Sequence, residues 1–271
     1  GHSGMDIHKG LGNANKIMNR LLYETQDNLR VSEINGGSLR NAIPRESFAS
    51  ISVYNSKKTE FNKKFKKVVK AIKADFKTID ANLEIELKEI ETPKKVMTTI
   101  SQTTLLKAIY AAHNGVYRMS ADMEDLVETS NNLARIIVKD ELIKILCLTR
   151  SSVETSKIDL ANALTATFEL AGYTVTQSGS YPGWKPNVDS PILKVLAKKY
   201  EDLFNSKPSV VACHAGLECG ILGTNYPEMD MISFGPTIHG AHSPDERASI
   251  KSTQKFWKFL LAILEDIPMK S

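Results

Sequence analysis

The chain has 271 residues, of which 42% are hydrophobic and 24% are charged, and its formal net charge is +4. This composition is close to the average of folded globular proteins, so it disfavours the disordered and fibrous classes. No apolar run approaches the roughly 18 residues that cross a bilayer, and the sequence does not open with a signal-peptide pattern. We therefore expect a cytoplasmic protein without a membrane partner, long enough for two domains.

The cysteine content argues against a disulfide framework. The sequence has an odd number of cysteines, namely Cys147, Cys213 and Cys219, and none of them forms a CxxC pair. The missing CxxC spacing also disfavours a cysteine-rich zinc knuckle. We expect reduced and mostly buried thiols.

The first part of the chain mixes helical and strand patterns, which is typical of an α+β domain. Apolar residues at helical spacing predict helices over residues 7–22, 61–76, 98–113 and 153–170. Short apolar or alternating runs predict strands over residues 29–34, 48–54, 83–87, 133–138, 142–148 and 173–177. Gly36-Gly37 predicts a turn, and Gly115 and Gly172 are expected to end the third and fourth helices.

A lysine-rich segment, residues 57–77, raises the question of nucleic-acid binding. Phe61, Phe65, Val68, Val69, Ile72 and Phe76 recur between the lysines at helical spacing. One helix face is therefore apolar and the other charged, and the phenylalanines sit at core positions rather than as exposed stacking residues. A solvated face of an amphipathic helix is the better interpretation, and we expect no nucleic-acid partner.

The domain boundary is predicted in the stretch 178–186, which carries two glycines and two prolines. We place one domain at residues 1–182 and a second at 183–271. In the second, predicted helices over 191–204 and 250–267 alternate with predicted strands over 209–213 and 229–234 and a short helix between them. This alternation favours a layered α/β sheet.

Two segments of the second domain carry residues that bind metals. A Gly/Pro-rich loop after the strand at 229–234 contains His239, His242, Asp245 and Glu246. Imidazole is a good zinc ligand and a neighbouring carboxylate can orient it, although a surface histidine in a loop explains the spacing equally well. His214 and Glu218 would share one helix face, or else His214 ends a strand and Glu218 begins a helix.

Three further candidates lie in the first domain. The glycines around His2 would let the backbone approach a ligand closely, but Gly1-His2-Ser3 is also what a tag remnant looks like. Asn41 precedes a proline-containing loop. Arg150 ends an apolar strand, where its guanidinium needs an anion or water.

Six segments in one order resemble the aminoacyl-histidine dipeptidases, also called Xaa-His or β-alanyl-histidine dipeptidases. They are GHSGMDIHKGLGNANK, RNAIPRE, LTRSS, SGSYPGWKP, ACHAGLECG and GPTIHGAHSPDE. This group belongs to the clan of di-zinc exopeptidases that includes acetylornithine deacetylase and carnosinase. The first motif also makes His2 a native residue, because the family has the same Gly-His-Ser-Gly before the same helix.

The resemblance implies a homodimeric metallodipeptidase that hydrolyses Xaa-His dipeptides with two zinc ions and a metal-activated water. In such enzymes a Glu accepts the proton of that water, and the hydroxide attacks the peptide carbonyl. His242 matches the late zinc ligand of the family. His2 matches a residue that stabilises the oxyanion from the neighbouring subunit, and Asn41, Arg150 and the backbone of Gly216 match the substrate-binding set.

The sequence departs from the family in its metal ligands. No histidine is followed two residues later by Asp, and no Glu-Glu pair occurs. A single histidine does not hold a zinc pair. We therefore predict an α/β protein made of an α+β lid and dimerisation domain and the C-terminal portion of a zinc-exopeptidase catalytic domain, inactive by itself. The alternative is a non-catalytic dimerisation module without hydrolase activity.

Overall fold

The structure, a computed structural model, describes residues 1–121, 123–180, 182–187, 189–212, 218–240 and 246–266. The chain divides into two compact units, Gly1–Ser180 and Tyr181–Ser271. Their boundary lies within the glycine- and proline-rich stretch 178–186.

The first unit combines helices with an antiparallel sheet. Its helices are α1 (Ala14–Thr25), α2 (Lys58–Asp75), α3 (Thr99–Ala111) and α4 (Glu154–Leu170). Its strands are β1 (Leu29–Gly36), β2 (Ser47–Val53), β3 (Gly115–Met119), β4 (Val127–Lys139) and β5 (Leu142–Ser151). The predicted mixture of helices and strands is confirmed.

The long strand β4 pairs with three of the other strands of the sheet. One of its edges pairs with β5 from residue 129 to residue 139. On the other edge, β3 pairs with residues 127–131 and β1 with residues 136–138, and β2 pairs in turn with β1. Within the described ladder, residues 132–135 of β4 therefore have no strand partner on that second edge.

The hydrophobic core of this unit joins the sheet to α1, α3 and α4. Its fully buried side chains include Val31, Leu105, Leu106, Ile109, Leu133 and Leu160. Burying one such aliphatic side chain contributes about 1.5–3 kcal/mol, so the cluster contributes strongly to the stability of this unit.

Helix α2 confirms the amphipathic interpretation of the lysine-rich segment. Phe61, Val68 and Ile72 are buried, and Val68 and Ile72 pack in one cluster with Leu21 of α1. The lysines on the opposite face, residues 63, 66, 67, 70 and 73, are exposed to solvent. The charged face is thus the outer side of a packed helix.

The first predicted helix is wrong over residues 7–13. Ile7–Lys9 form only a short 3₁₀ turn, and Gly10 has a left-handed φ of +69°. Helix α1 begins at Ala14 because the side chain of Asn13 caps it, accepting from the backbone N–H groups of Asn15 and Lys16. Ile7 continues the helical spacing, but it packs instead in a separate small cluster.

The two glycines expected to end helices behave differently. Gly172 has a φ of +81°, and its N–H donates to the carbonyl of Glu169, which confirms the predicted end of α4. Helix α3 ends at Ala111, and Gly115 opens β3, a strand the sequence did not predict. The five residues of β3 are half-buried or exposed, so they lack a clear apolar alternation.

The predicted strands at 83–87 and 173–177 form no ladder in the described structure. Their apolar residues do pack: Leu83 and Ile85 contact the cluster around α2, and Tyr173 and Val175 contact the main core. Alternation buries one side of an extended segment, but a strand also needs a neighbouring backbone to bond with.

The second unit is mainly helical where it is described. It contains α5 (Pro191–Phe204), α6 (Glu218–Asn225) and α7 (Ile250–Glu265), with a short ladder of β6 (Ile238–His239) and β7 (Arg247–Ala248). Aromatic contacts of Tyr200 and Phe204 with Phe259 join α5 to α7.

The strands predicted over 209–213 and 229–234 are not formed by the described residues, and Cys213 lies outside them. Val211 is 78% exposed, so the apolar run is not buried against a sheet here. A run of this kind becomes a strand only beside another strand.

Two further observations bear on the sequence predictions. Cys147 and Cys219 are free thiols, as expected, and burial raises the pKa of Cys147 to about 11. No helix in the described ranges is both long and apolar enough to cross a membrane.

Candidate functional site

His2 lies in a tight loop that fixes its imidazole ring. Its Nδ1 accepts hydrogen bonds from the backbone N–H groups of Gly4 and Met5, both at 3.1 Å. A ring nitrogen that accepts two donors carries no proton, so Nε2 carries the proton of the neutral ring. His2 is therefore arranged as a hydrogen-bond donor through Nε2.

Asp6 closes the same loop. Its carboxylate accepts from the backbone N–H of His2 at 2.7 Å and from Lys9 Nζ at 2.6 Å, and its own N–H donates to the His2 carbonyl. Burial alone would raise the pKa of Asp6, but the hydrogen bonds from Lys9 and His2 outweigh it and lower the pKa. Asp6 thus stays ionised at neutral pH and holds the His2 backbone.

A short backbone pairing brings His2 next to Asn41. The N–H of Ser3 donates to the Asn41 carbonyl at 2.7 Å, and the N–H of Ile43 donates to the Gly1 carbonyl at 2.9 Å. His2 and Ala42 form the antiparallel bridge between these two bonds. The backbone of Asn41 therefore lies beside the backbone of the His2 loop.

The side chain of Asn132 in β4 bonds to the turn at residues 40–41, which we call the Asn41 turn. Its Nδ2 donates to the carbonyls of Arg40 at 3.0 Å and Ala42 at 2.7 Å, the residues on either side of Asn41. Asn132 is 1% exposed. The turn is thus fixed to the middle of the sheet by a buried amide.

A group of asparagines occupies the unpaired edge of β4. Asn13 Nδ2 donates to Asn114 Oδ1 at 2.9 Å and to the Leu133 carbonyl at 3.2 Å. Asn114 Oδ1 also accepts from the N–H of Leu133, and Asn15 Nδ2 donates to the Leu133 carbonyl. These side chains bond to Leu133 where a strand would otherwise do so.

Arg150 lies on the same face of the sheet as Asn132. In the β4–β5 ladder Arg150 is opposite Ser130, and Leu148 is opposite Asn132, without a register shift between them. Cross-strand neighbours share a face, and residues two apart along a strand share it too. The topology thus brings Arg150 to the side of the sheet that carries the Asn41 turn.

The remaining candidates lie in the second unit. Gly216, His214, His242 and Asp245 are outside the described residues. Glu218 occupies the first turn of α6, where the helix dipole favours an acidic residue. His239 pairs with Arg247 in the short ladder and is exposed.

The described residues do not by themselves fit a metal centre. Among them, no group of three or more His, Cys, Asp or Glu side chains could hold a metal ion. His242, the expected ligand, falls in the range 241–245 that is not described.

Sequence reasoning missed the supporting asparagines. The predicted strand began at Leu133, because Ser130-Asn131-Asn132 reads as polar, whereas β4 begins at Val127. Asn13 was placed inside a helix rather than at its cap. A polar run directly before a strongly apolar strand was the signal that could have pointed to them.

Comparison with known proteins agrees with the motifs. Residues 1–84 match the family described as the peptidase dimerisation domain. The resemblance read from the sequence is confirmed. The chain is 39% identical, over its whole length, to the cytosol non-specific dipeptidase of Escherichia coli (strain K12).

A solved structure gives the same picture. The crystal structure of aminoacylhistidine dipeptidase from Vibrio alginolyticus matches the whole chain with a TM-score of 0.87 at 41% identity. The chain spans 56% of the length of each of these two relatives.

We predict that Asp6 stabilises the first unit above, but not below, the titration range of its carboxyl group. Because the pKa of Asp6 is lowered from 3.8 in the folded protein, its contribution is complete above that value and is lost as the pH falls through the lower one. The free energy of unfolding of wild type and Asp6→Asn, measured from pH 6 to pH 2, should therefore differ most near neutral pH and converge in acid.

Asp202→Asn, at an exposed position on α5 in the second unit, serves as the control and should leave the free energy of unfolding of the first unit unchanged. A difference between wild type and Asp6→Asn that stays constant, or grows as the pH falls, would rule out the ionised loop anchor.

Proposed function

We propose that this chain is part of a metal-dependent dipeptidase that hydrolyses Xaa-His dipeptides such as β-alanyl-histidine. The observation that carries the proposal is the similarity of the chain, throughout its length, to two proteins named as dipeptidases. The backbone pairing of His2 with Ala42, the residue after Asn41, and the position of Arg150 in β5 support it. We use 'the longer protein' for the dipeptidase of which we propose this chain to be a part. The similarity to 56% of the length of those relatives supports a hydrolase role for it.

His2 is proposed to stabilise the oxyanion that forms when the peptide carbonyl is attacked. The two backbone donors on Nδ1 keep the proton on Nε2, which provides a neutral hydrogen-bond donor without further reorganisation. We propose that it acts in the site of a neighbouring subunit, and the match of residues 1–84 to a peptidase dimerisation domain supports a homodimer.

Arg150 is proposed to bind the free carboxylate of the dipeptide. A guanidinium offers a fork of donors that fits a carboxylate, and an exopeptidase needs such an anchor to recognise a chain end. Asn41 and the backbone of Gly216 complete the proposed substrate-binding set.

The two zinc ions belong to the proposal for the longer protein, with His242 as one ligand. When bound, such ions would activate the attacking water. The described residues supply positioning and binding groups rather than a metal centre. A cytoplasmic location is proposed with the enzyme, supported by the printed name of the Escherichia coli relative.

We predict that the longer protein hydrolyses β-alanyl-histidine and that this chain alone does not, with zinc or manganese added. The physical reason is that His242 is the one residue of this chain that matches the zinc ligands implied by the resemblance, and a single histidine does not hold a zinc pair. Release of free histidine, measured for both proteins at equal concentration, checks this. An inactive longer protein would favour the non-catalytic dimerisation module, and a fully active chain would overturn the ligand assignment.

We further predict that Arg150→Ala and His242→Ala impair the longer protein in different ways. Arg150→Ala should keep its zinc and raise KM, since it loses the carboxylate anchor. His242→Ala should lose zinc and with it kcat. Elemental analysis and steady-state kinetics on an Xaa-His dipeptide separate the two.

The matched substrate control is the C-terminal amide of the same dipeptide, which lacks the negative charge. Wild type should prefer the free acid, and Arg150→Ala should lose most of that preference, with Arg150→Lys in between. Unchanged discrimination in Arg150→Ala, or full zinc content in His242→Ala, would contradict the corresponding role.

A further inference from the structure

We propose that Asn132 is a positioning residue for substrate binding and acts through Asn41 and His2. This inference rests on the proposed function and adds to it a residue that contacts neither substrate nor metal in the scheme above. It follows from hydrogen bonds within the first unit.

Both donor hydrogens of the Asn132 amide are committed to the same turn. A side-chain amide has two N–H donors, and those of Asn132 are within bonding distance of the carbonyls of Arg40 and Ala42, at 3.0 and 2.7 Å. The pair brackets Asn41, so the amide fixes the turn at two points. Because Asn132 is almost fully buried, water does not replace these bonds when they are lost.

The orientation of that amide is itself determined by its surroundings. Its Oδ1 lies 3.4 Å from Asn13 Nδ2, whose two hydrogens also have shorter bonds to Asn114 Oδ1 and to the Leu133 carbonyl, so this third contact is a weak one. The opposite orientation would place Oδ1 against two carbonyl oxygens and Nδ2 against a donor. Asn132 therefore has one satisfactory arrangement, and it is the one that holds the turn.

Movement of the turn would reach His2 as well as Asn41. Ala42 is bridged to His2, and the Asn41 carbonyl accepts from Ser3. A displacement near 1 Å of a positioning group costs on the order of 10²-fold in rate in well-studied enzymes. Asn132 thus controls the placement of two groups that the proposed chemistry needs.

The chain provides a matched control in the adjacent residue. Asn131 is the same residue type in the same strand and is equally buried. Its Nδ2 donates to the carbonyl of His113 at 2.7 Å, and its Oδ1 accepts from Thr149, so the bonds found for it do not involve the Asn41 turn. A purely structural loss should affect both positions alike.

The experiment compares Asn132→Asp and Asn131→Asp in the longer protein. Aspartate has nearly the same shape as asparagine but no N–H donors, so Asn132→Asp removes both bonds to the turn. We expect kcat/KM for an Xaa-His dipeptide to fall by about 10- to 100-fold for Asn132→Asp and by no more than about 3-fold for Asn131→Asp. If Asn132→Asp does not fold, Asn132→Ser, which keeps one donor, should show an intermediate loss.

A double-mutant cycle with Asn41→Ala separates positioning of Asn41 from a general loss of protein stability. Because Asn132 acts partly through Asn41, adding Asn132→Asp to Asn41→Ala should cost less than it costs in wild type, and the remaining cost is the part transmitted through His2. Effects that simply multiply would overturn the coupling to Asn41, and an equal loss in Asn131→Asp would overturn the whole inference, in both cases while the longer protein remains an active dipeptidase. An inactive wild-type protein would instead overturn the proposed function, and the inference with it.

Discussion

The structure of the first unit depends on how the backbone of β4 is hydrogen-bonded where no strand lies beside it. Between β3 and β1, the N–H and carbonyl of Leu133 bond to asparagine side chains from the start of α1 and from the residue before β3. A buried backbone group left without a partner costs about 1–3 kcal/mol. The asparagines therefore replace a missing length of strand.

The same set of bonds joins the fold to the candidate site. Asn13 caps α1 and also bonds to β4, and Asn132 bonds to the turn that carries Asn41. The Asn41 turn is bridged to the loop that holds His2. Asn13 and Asn132 are buried, so loss of either side chain would leave its partners without a replacement hydrogen bond from water.

Glycine makes the close approach beside this edge of β4 feasible. Gly37 has a left-handed φ of +72°, and a Cβ atom there would lie 1.9 Å from the Ala134 carbonyl oxygen. No other residue fits at this position. The turn predicted at Gly36-Gly37 is not formed, because Gly36 ends β1 and Gly37 begins the loop to β2. The guanidinium of Arg135 donates to the carbonyls of both glycines.

Helices with a clear apolar face were predictable from the sequence. The pattern of α2 and the Pro191 start of α5 fix those elements, because burial of one face is a local property of the sequence. Strands were less predictable from the sequence. Residues 83–87 and 173–177 alternate and pack against the core, but a strand also needs a second backbone to bond with, and that backbone is distant in sequence. His2, Asn41 and Arg150 are weak candidates on local grounds, and their proposed roles come from the motifs. The sequence does not predict a role for Asn132, because a polar residue beside other polar residues is typical of a loop. Its role depends on its bonds to the Asn41 turn, which only the structure gives.

In the proposed enzyme, this chain binds the dipeptide through Asn41, Gly216 and Arg150, and its His2 acts in the site of the partner subunit. This arrangement is tested most directly by mixing two inactive variants of the longer protein, His2→Ala and His242→Ala, and measuring Xaa-His hydrolysis after subunit exchange. In a mixed dimer, the subunit that keeps His242 would receive an intact His2 from its partner. We expect activity to return, toward half of the wild-type activity per mixed dimer. If mixed dimers form and remain inactive, His2 does not act across the interface.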